Sequence, residues 1–479
     1  MRNYILLFPL LASAFMPTEA KVAPGSMITD NMVLQQNGQA LLYGTADPNK
    51  TVTVTPSWSN RPYATQADSK GKWRIRIDTP AGGYTPYSIV ISDGDPVTID
   101  NVLIGEVWLA SGQSNMEMPL KGFPGCCVAG GYDEVAAARE RAGRIRFYTV
   151  PLKQSYEPME TIDAVWTVPG PDTAAEYSAV GWHFAKRLND VLDVPVGIVR
   201  CAYGGAKVES WTPREILETY ADVSLDPAEV EKMVHYYRPM LMYNAMFNPA
   251  KDYTYNGIIW YQGCSNVGRH SDYPTRLANM VEHWRKEIGE GEIPFYQVEI
   301  APYDYGSDDG RQWAPLLREA QWKASEIIPN SGIVCTNDLV KPYERYNIHP
   351  ADKATVGKRL AELALNKTYD NKIFPIVSPR YKGHRIEDGT VRVAIDSPSD
   401  GICRNYAIEG FEVAGADKVF HPADSVWLDW RTNEFIVSSK EVPEPVAARY
   451  GWRDFLPGNV HAGNYLPLVP FRTDDWPME

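Results

Sequence analysis

Cysteine and histidine are scarce: six and eight residues in a chain of 479. No Cys-x-x-Cys or His-Glu-x-x-His pattern occurs, so the common zinc-site signatures are missing and no metal or other cofactor is expected. The six cysteines are compatible with an oxidising compartment, but their spacing is not that of a small disulfide framework, and six allow 15 pairings. Long apolar runs are also lacking. The one near the start, Ile5 to Leu11, is short, and Pro9 and Pro17 interrupt it and its surroundings, which excludes a membrane span. With Arg2 before it and Thr18-Glu19-Ala20 after it, residues 1–20 read as a secretion signal. A secreted or periplasmic protein is expected, without membrane insertion. Positive charge is in deficit as well: 47 Lys and Arg against 60 Asp and Glu give a net charge of −13. That balance argues against nucleic acid and anionic membrane surfaces as partners. There are no internal repeats or low-complexity tracts.

What the chain has in plenty is aromatic: 14 Trp and 28 Tyr. Sugar-stacking surfaces and β-sandwich cores both use such residues, and composition does not choose between them. Residues 21–100 read as short strands, Ala40 to Gly44, Thr51 to Thr55, Trp73 to Ile77 and Tyr87 to Ile91, separated by turns. From 101 to 366 strands alternate with amphipathic stretches, Trp182 to Val191, Tyr273 to Ile288, Leu316 to Ile328 and Asp352 to Leu365. Pro294 to Ile300 and Ser331 to Cys335 are further buried strands. That alternation implies an α/β fold, a parallel sheet flanked by helices. From 367 to 479 the β pattern resumes, at Thr390 to Ile395, Phe411 to Val413, Ser425 to Leu428 and Glu434 to Val437. The expectation is an accessory β-sandwich domain built from the N- and C-terminal regions, with a separate C-terminal module as the alternative.

The chemistry concentrates at Val107-Trp-Leu-Ala-Ser-Gly-Gln-Ser-Asn-Met-Glu-Met118. The apolar run Val102 to Ala110 is a buried strand, and it breaks at Ser111-Gly112-Gln113-Ser114-Asn115. Ser114 thus stands at the carboxyl end of a central strand, where open α/β sheets place their ligand crevice. Three other stretches join it. Val196 to Cys201 is a strand running into Tyr203-Gly204-Gly205, Gly257 to Tyr261 is a strand running into Gln262-Gly263-Cys264-Ser265-Asn266, and His349 precedes a helix in Asn347-Ile-His-Pro350. Nucleophile, backbone amide, side-chain amide and base are the parts that acyl transfer requires. The glycine-rich loop Pro124 to Tyr132 and the loop Pro302 to Gly310 are placed to rim a pocket.

These motifs, with the ending Pro470-Phe-Arg-Thr-Asp-Asp-Trp476, resemble the sialate O-acetylesterase family of SGNH-type carbohydrate esterases, over most of the chain after residue 25. The resemblance implies an SGNH-hydrolase-like sheet and a serine esterase that removes O-acetyl groups from sugars, such as 9-O-acetyl sialic acid or acetylated glycans, through an acyl-enzyme. Ser114 would attack, its own amide and that of Gly205 or Gly204 would face the oxyanion, and the resemblance favours Gln262 as side-chain donor, with Asn266 second. His349 would take the serine proton and return it to the sugar hydroxyl.

Two positions depart from the resembling pattern. Relatives of this kind carry Asp two or three residues before the histidine, where this chain has Asn347 and Tyr346. They carry Glu in Gln-Gly-Glu-Ser-Asn, where this chain has Cys264. A backbone carbonyl, Asn347 itself, or Glu344, Asp338 or Asp352, is then expected to orient His349. Cys264 is expected either to pair with Cys126 or Cys127, Cys201 being a further candidate, or to stay a buried free thiol. Two rival functions follow: a catalytically weakened carbohydrate-binding protein on an esterase scaffold, and an esterase for longer apolar acyl chains.

Overall fold

The computed structural model describes residues 22–306, 312–397, 401–403 and 406–477. The expected secretion signal, residues 1–20, lies outside them, as does part of the loop Pro302 to Gly310.

The central sheet is organised by β1 (Pro96–Gly112), 17 residues long. Its companions are β2 (Ile145–Thr149), β3 (Val196–Ala202), β4 (Gly257–Tyr261), β5 (Phe295–Val298) and β6 (Ser331–Val334). They run parallel in the order β2-β3-β1-β4-β5-β6. The chain leaves β1 towards the β2 side and leaves β4 towards the β5 side, so the crevice of the sheet opens between β1 and β4. Helices α1 (Ala179–Leu192), α2 (Tyr273–Ile288), α3 (Ala314–Ile327) and α4 (Lys353–Lys367) cover it. Alternate residues of β1 feed opposite cores, as a two-residue side-chain period requires. Trp108 and Ala110 pack with Phe184, Leu188 and Leu360 of α1 and α4. Val107 and Leu109 belong to the core that holds Leu277, Trp284 and Leu317 of α2 and α3. The expected parallel sheet with helices on both faces is what the chain forms.

The first half of β1 has other partners. It pairs with Gly83–Ser92 in antiparallel fashion and with Val33–Gln35 in parallel. One continuous strand therefore ties the N-terminal β region to the parallel sheet. The C-terminal strands form two four-stranded sheets around a core of their own, including Val393, Phe411, Phe435 and Tyr450. Among the described residues no strand of one terminal region pairs with a strand of the other. The C-terminal strands thus build the accessory β unit alone, because the N-terminal strands pair on β1, with one another, or in a three-stranded sheet of their own, Ala23–Pro24, Gly38–Thr45 and Lys72–Thr79.

Candidate active site

The site assembles because three parallel strands end level. In the sheet register Gly112 faces Ala202 of β3 and Tyr261 of β4. Residues just beyond each strand, Ser114, Gly204-Gly205 and Gln262 to Cys264, therefore meet at one edge. Gly112 has φ +132°, and a Cβ there would come within 2.3 Å of the Tyr261 carbonyl oxygen, so only glycine lets the strands close here. Past it, Ser114–Glu117 form a single helical turn with Ser114 as its first residue and Met118 N–H bonded to the Ser114 carbonyl. Among the described residues nothing accepts from the Ser114 N–H. The Gln113 side chain turns back and accepts the Gly263 N–H at 3.0 Å, which ties the Ser114 turn to the loop after β4.

His349 is brought to this edge by the segment before α4. Asn115 Nδ2 donates to the Ile348 carbonyl at 3.0 Å. Asn347 Oδ1 accepts the His349 backbone N–H at 3.0 Å and takes a 3.6 Å contact from the Cys126 thiol. The Phe123 ring stands edge-on to the imidazole, with centroids 5.4 Å apart. Both rim loops reach the site, since Phe123 and Cys126 touch the histidine segment and Tyr305 faces the Cys264 thiol. His349 Nε2 is buried and, among the described residues, has no hydrogen-bond partner. Burial first, and the Lys353 charge second, push the imidazole down to about 4. At neutral pH it is an uncharged base.

The oxyanion side is narrower than the sequence suggested. Gly204 lies against Ser114, but its N–H donates to Glu117 Oε2 at 2.5 Å and is not free. Of the two glycine amides expected to serve an oxyanion, Gly204 is thus taken by Glu117 and Gly205 is the one left. Gly205 has φ +77°, and a Cβ there would strike the Tyr236 ring at 2.5 Å, so the turn demands glycine on two counts. Gln262 is fully buried, with Nε2 donating to the Ala206 carbonyl at 3.1 Å and to Asn266 Oδ1 at 2.7 Å. Asn266 is held in turn by Glu209 and the Val208 N–H. Both Gln262 amide hydrogens are committed and one Asn266 amide hydrogen goes to Glu209, so the two side chains expected as oxyanion donors brace the 204–208 turn here. Glu117, which the sequence analysis passed over, does the same from the other side. Its only signal was its place in Ser-Asn-Met-Glu. Beside the Gly205 turn opens a cavity of about 470 Å³ lined by Lys207, Lys232, Tyr237, Arg269, Arg276 and Asp222, among others. Among the described residues no group of three or more His, Cys, Asp or Glu could hold a metal ion, and no helix is long and apolar enough to cross a membrane.

Residues 104–366 match the family described as carbohydrate esterase, sialic acid-specific acetylesterase. The chain belongs to this family. Its fold follows that of a carbohydrate acetylesterase from Xanthomonas citri, with a TM-score of 0.83 and 32% identity over 95% of this chain and 100% of that one. The human sialate O-acetylesterase is 26% identical over 407 residues, covering 78% of this chain and 76% of that protein. The mouse sialate O-acetylesterase is 27% identical over 413 residues, covering 74% and 75%. The protein is a carboxylic ester hydrolase acting as a carbohydrate esterase.

In this esterase each carboxylate expected to orient the histidine is engaged elsewhere. Glu344 accepts the Lys341 and Ala351 N–H groups, both at 2.8 Å, and so closes its own loop. Asp338 is gripped by Arg359 at 2.7 and 2.8 Å and by His461 Nε2 at 3.1 Å, partners that hold it down to about 2. Asp352 caps α4 through the Thr355 N–H and hydroxyl. Asn347 touches only the backbone of His349. All six cysteines are free, so the proposed disulfide from Cys264 to Cys126 or Cys127 is not formed. Cys264 instead faces Gln113, Tyr305 and Lys353. Lys353 itself was absent from the sequence reading and is among the most buried charged residues of the site.

Proposed function

We propose that the protein is an exported serine esterase that removes O-acetyl groups from sugars through an acyl-enzyme on Ser114. His349 takes the Ser114 proton during attack and returns it to the departing sugar hydroxyl. The amides of Ser114 and Gly205 receive the developing oxyanion. The observation that carries this reading is the unpartnered His349 Nε2, held by Asn115 and Asn347 beside the nucleophile turn. A buried ring nitrogen left without a partner is costly unless a reacting group satisfies it. Export rests on the character of residues 1–20 alone.

Sialic acids carrying O-acetyl groups are the substrates favoured, in line with the relatives' names. The cavity beside Gly205 offers Lys207 and Lys232, for which no ion pair occurs among the described residues, with the Lys207 ammonium 4.5 Å above the Tyr237 ring centre. A cationic wall with an aromatic face suits an acidic sugar. Acetate release from 9-O-acetyl sialic acid and from acetylated plant polysaccharides, compared for wild type and Ser114→Ala, tests the reading. Release from both substrates by the Ser114→Ala protein at the wild-type rate would end it.

A second reading, a weakened enzyme that binds sugars, draws on one observation: no carboxylate among the described residues contacts His349. Tight sugar binding without acetate release would favour it.

A further inference from the structure

Lys353 occupies an unfavourable place for a cation. Its side chain is buried, with 1% of the residue exposed. It is the first residue of α4, where the helix dipole is positive and an ammonium is repelled. Its Nζ donates to the carbonyl of Pro350, the residue next to His349.

The charged and titratable groups that face it are Glu344 from the preceding loop, Asp352 on its own turn, Cys264 after β4, Cys126 from the loop after the nucleophile, and His349. Across α1, His183 faces Asp352. None of the carboxylates forms an ion pair with Lys353 among the described residues, because backbone N–H groups occupy Glu344 and Thr355 occupies Asp352. A cation so placed destabilises the fold unless the site uses it, and misplaced charge of this kind gathers where chemistry happens.

We propose that Lys353 is a positioning residue that gates the catalytic base: as an ammonium it opposes the charge His349 gains, and as a free amine it does not. The inference rests on the Ser114–His349 reading. When Ser114 Oγ attacks the ester carbonyl, its proton passes to His349 and an imidazolium forms. A neighbouring ammonium makes that imidazolium less stable and the base weaker. When Lys353 releases its proton to solvent, the opposition ends and turnover rises. Burial pushes the Lys353 amine down to about 7, which puts the change within reach of ordinary conditions.

The test is kcat for p-nitrophenyl acetate against pH, with the full chain. Wild type should rise in two steps, the upper one near pH 7 and about threefold to tenfold in size. Lys353→Met should show a single rise, at higher pH than the lower wild-type step but still below the ordinary imidazole range because burial remains, and reach the high plateau at once. A wild-type profile with one step, or two steps surviving in Lys353→Met, overturns the proposal. Cys264→Glu, which sets a carboxylate facing the amine, should hold the ammonium longer and move the upper step to higher pH; an unmoved step counts against it. His349 imidazole titration by NMR in Ser114→Ala protein reads the coupling without turnover, and should lie at higher pH when Lys353 is also Met. If Ser114→Ala stays active while the NMR coupling holds, the functional reading has failed and the charge coupling has not.

Discussion

Asn115 and Ile348 are joined by a 3.0 Å hydrogen bond from the side-chain amide to the carbonyl, although 233 residues separate them. The residue after Ser114 thereby holds the residue before His349. The link holds the segment that carries His349 against the turn that carries Ser114.

Replacing Asn115 with Ala should loosen that link without unfolding the protein. A displacement of about 1 Å at reacting groups costs roughly 100-fold in rate. The expected result is a kcat lowered about 10- to 100-fold with KM little changed, and unaltered circular dichroism. Wild-type kcat in Asn115→Ala would remove Asn115 from the positioning role.

Asn347→Asp addresses the missing orienter. Asn347 Oδ1 already reaches the His349 N–H, so a carboxylate there adds negative charge beside the ring without a new backbone path. Stabilising the imidazolium should raise kcat about threefold to tenfold and lift the acid limb of the profile, since an adjacent anion raises an imidazole pKa. An unchanged kcat and acid limb would mean that the absent carboxylate is no deficit.

Gln262→Leu separates bracing from catalysis. Removing a buried amide with three partners strands the Ala206 carbonyl and leaves the Tyr273 hydroxyl only its longer bond, 3.4 Å, to the Gln262 backbone carbonyl, at about 1–3 kcal/mol for an unsatisfied group. Tm should fall clearly. Turnover at a temperature where the variant is folded should drop by less than the roughly 100- to 1000-fold expected for a direct oxyanion donor. A loss of that size at unchanged Tm would return Gln262 to the oxyanion.

Glu299 offers a stability test away from the nucleophile. It is fully buried, and burial lifts its carboxyl from 4.5 to about 7 against the opposing pull of Arg318. The folded state therefore holds the proton more tightly than the unfolded chain does. The stability this contributes is complete below about pH 4.5 and is lost as pH rises through about 7. Glu299→Gln should flatten that fall, so that its Tm gains on wild type between pH 5 and pH 8. Parallel Tm curves across this range would contradict the shift.

Much of the candidate edge was legible in the chain itself. Apolar runs broken by Gly-Gln-Ser, Gly-Gly and Gln-Gly announce strands with loops at their carboxyl ends, and parallel pairing then puts Ser114, Gly205 and Gln262 side by side. Helical periodicity located α1 to α4 to within a few residues, because burying one face of each helix is a local pattern. His349 was found as the polar residue before a proline-led turn into α4.

Only the tertiary structure decided which partner each polar group takes. Asp338 stands closer in sequence to His349 than His461 does, yet it bonds His461, 123 residues away, and Arg359. Gln262 sits at the right strand end but spends its amide on Ala206 and Asn266. Glu117 claims the Gly204 amide and so leaves Gly205 as the candidate backbone donor. The six cysteines stay free, and the buried Lys353 amine lies beside the base. Periodicity reports which face of an element is buried. It carries no record of competition among donors and acceptors drawn from distant parts of the chain, and that competition is settled only when side chains meet in three dimensions.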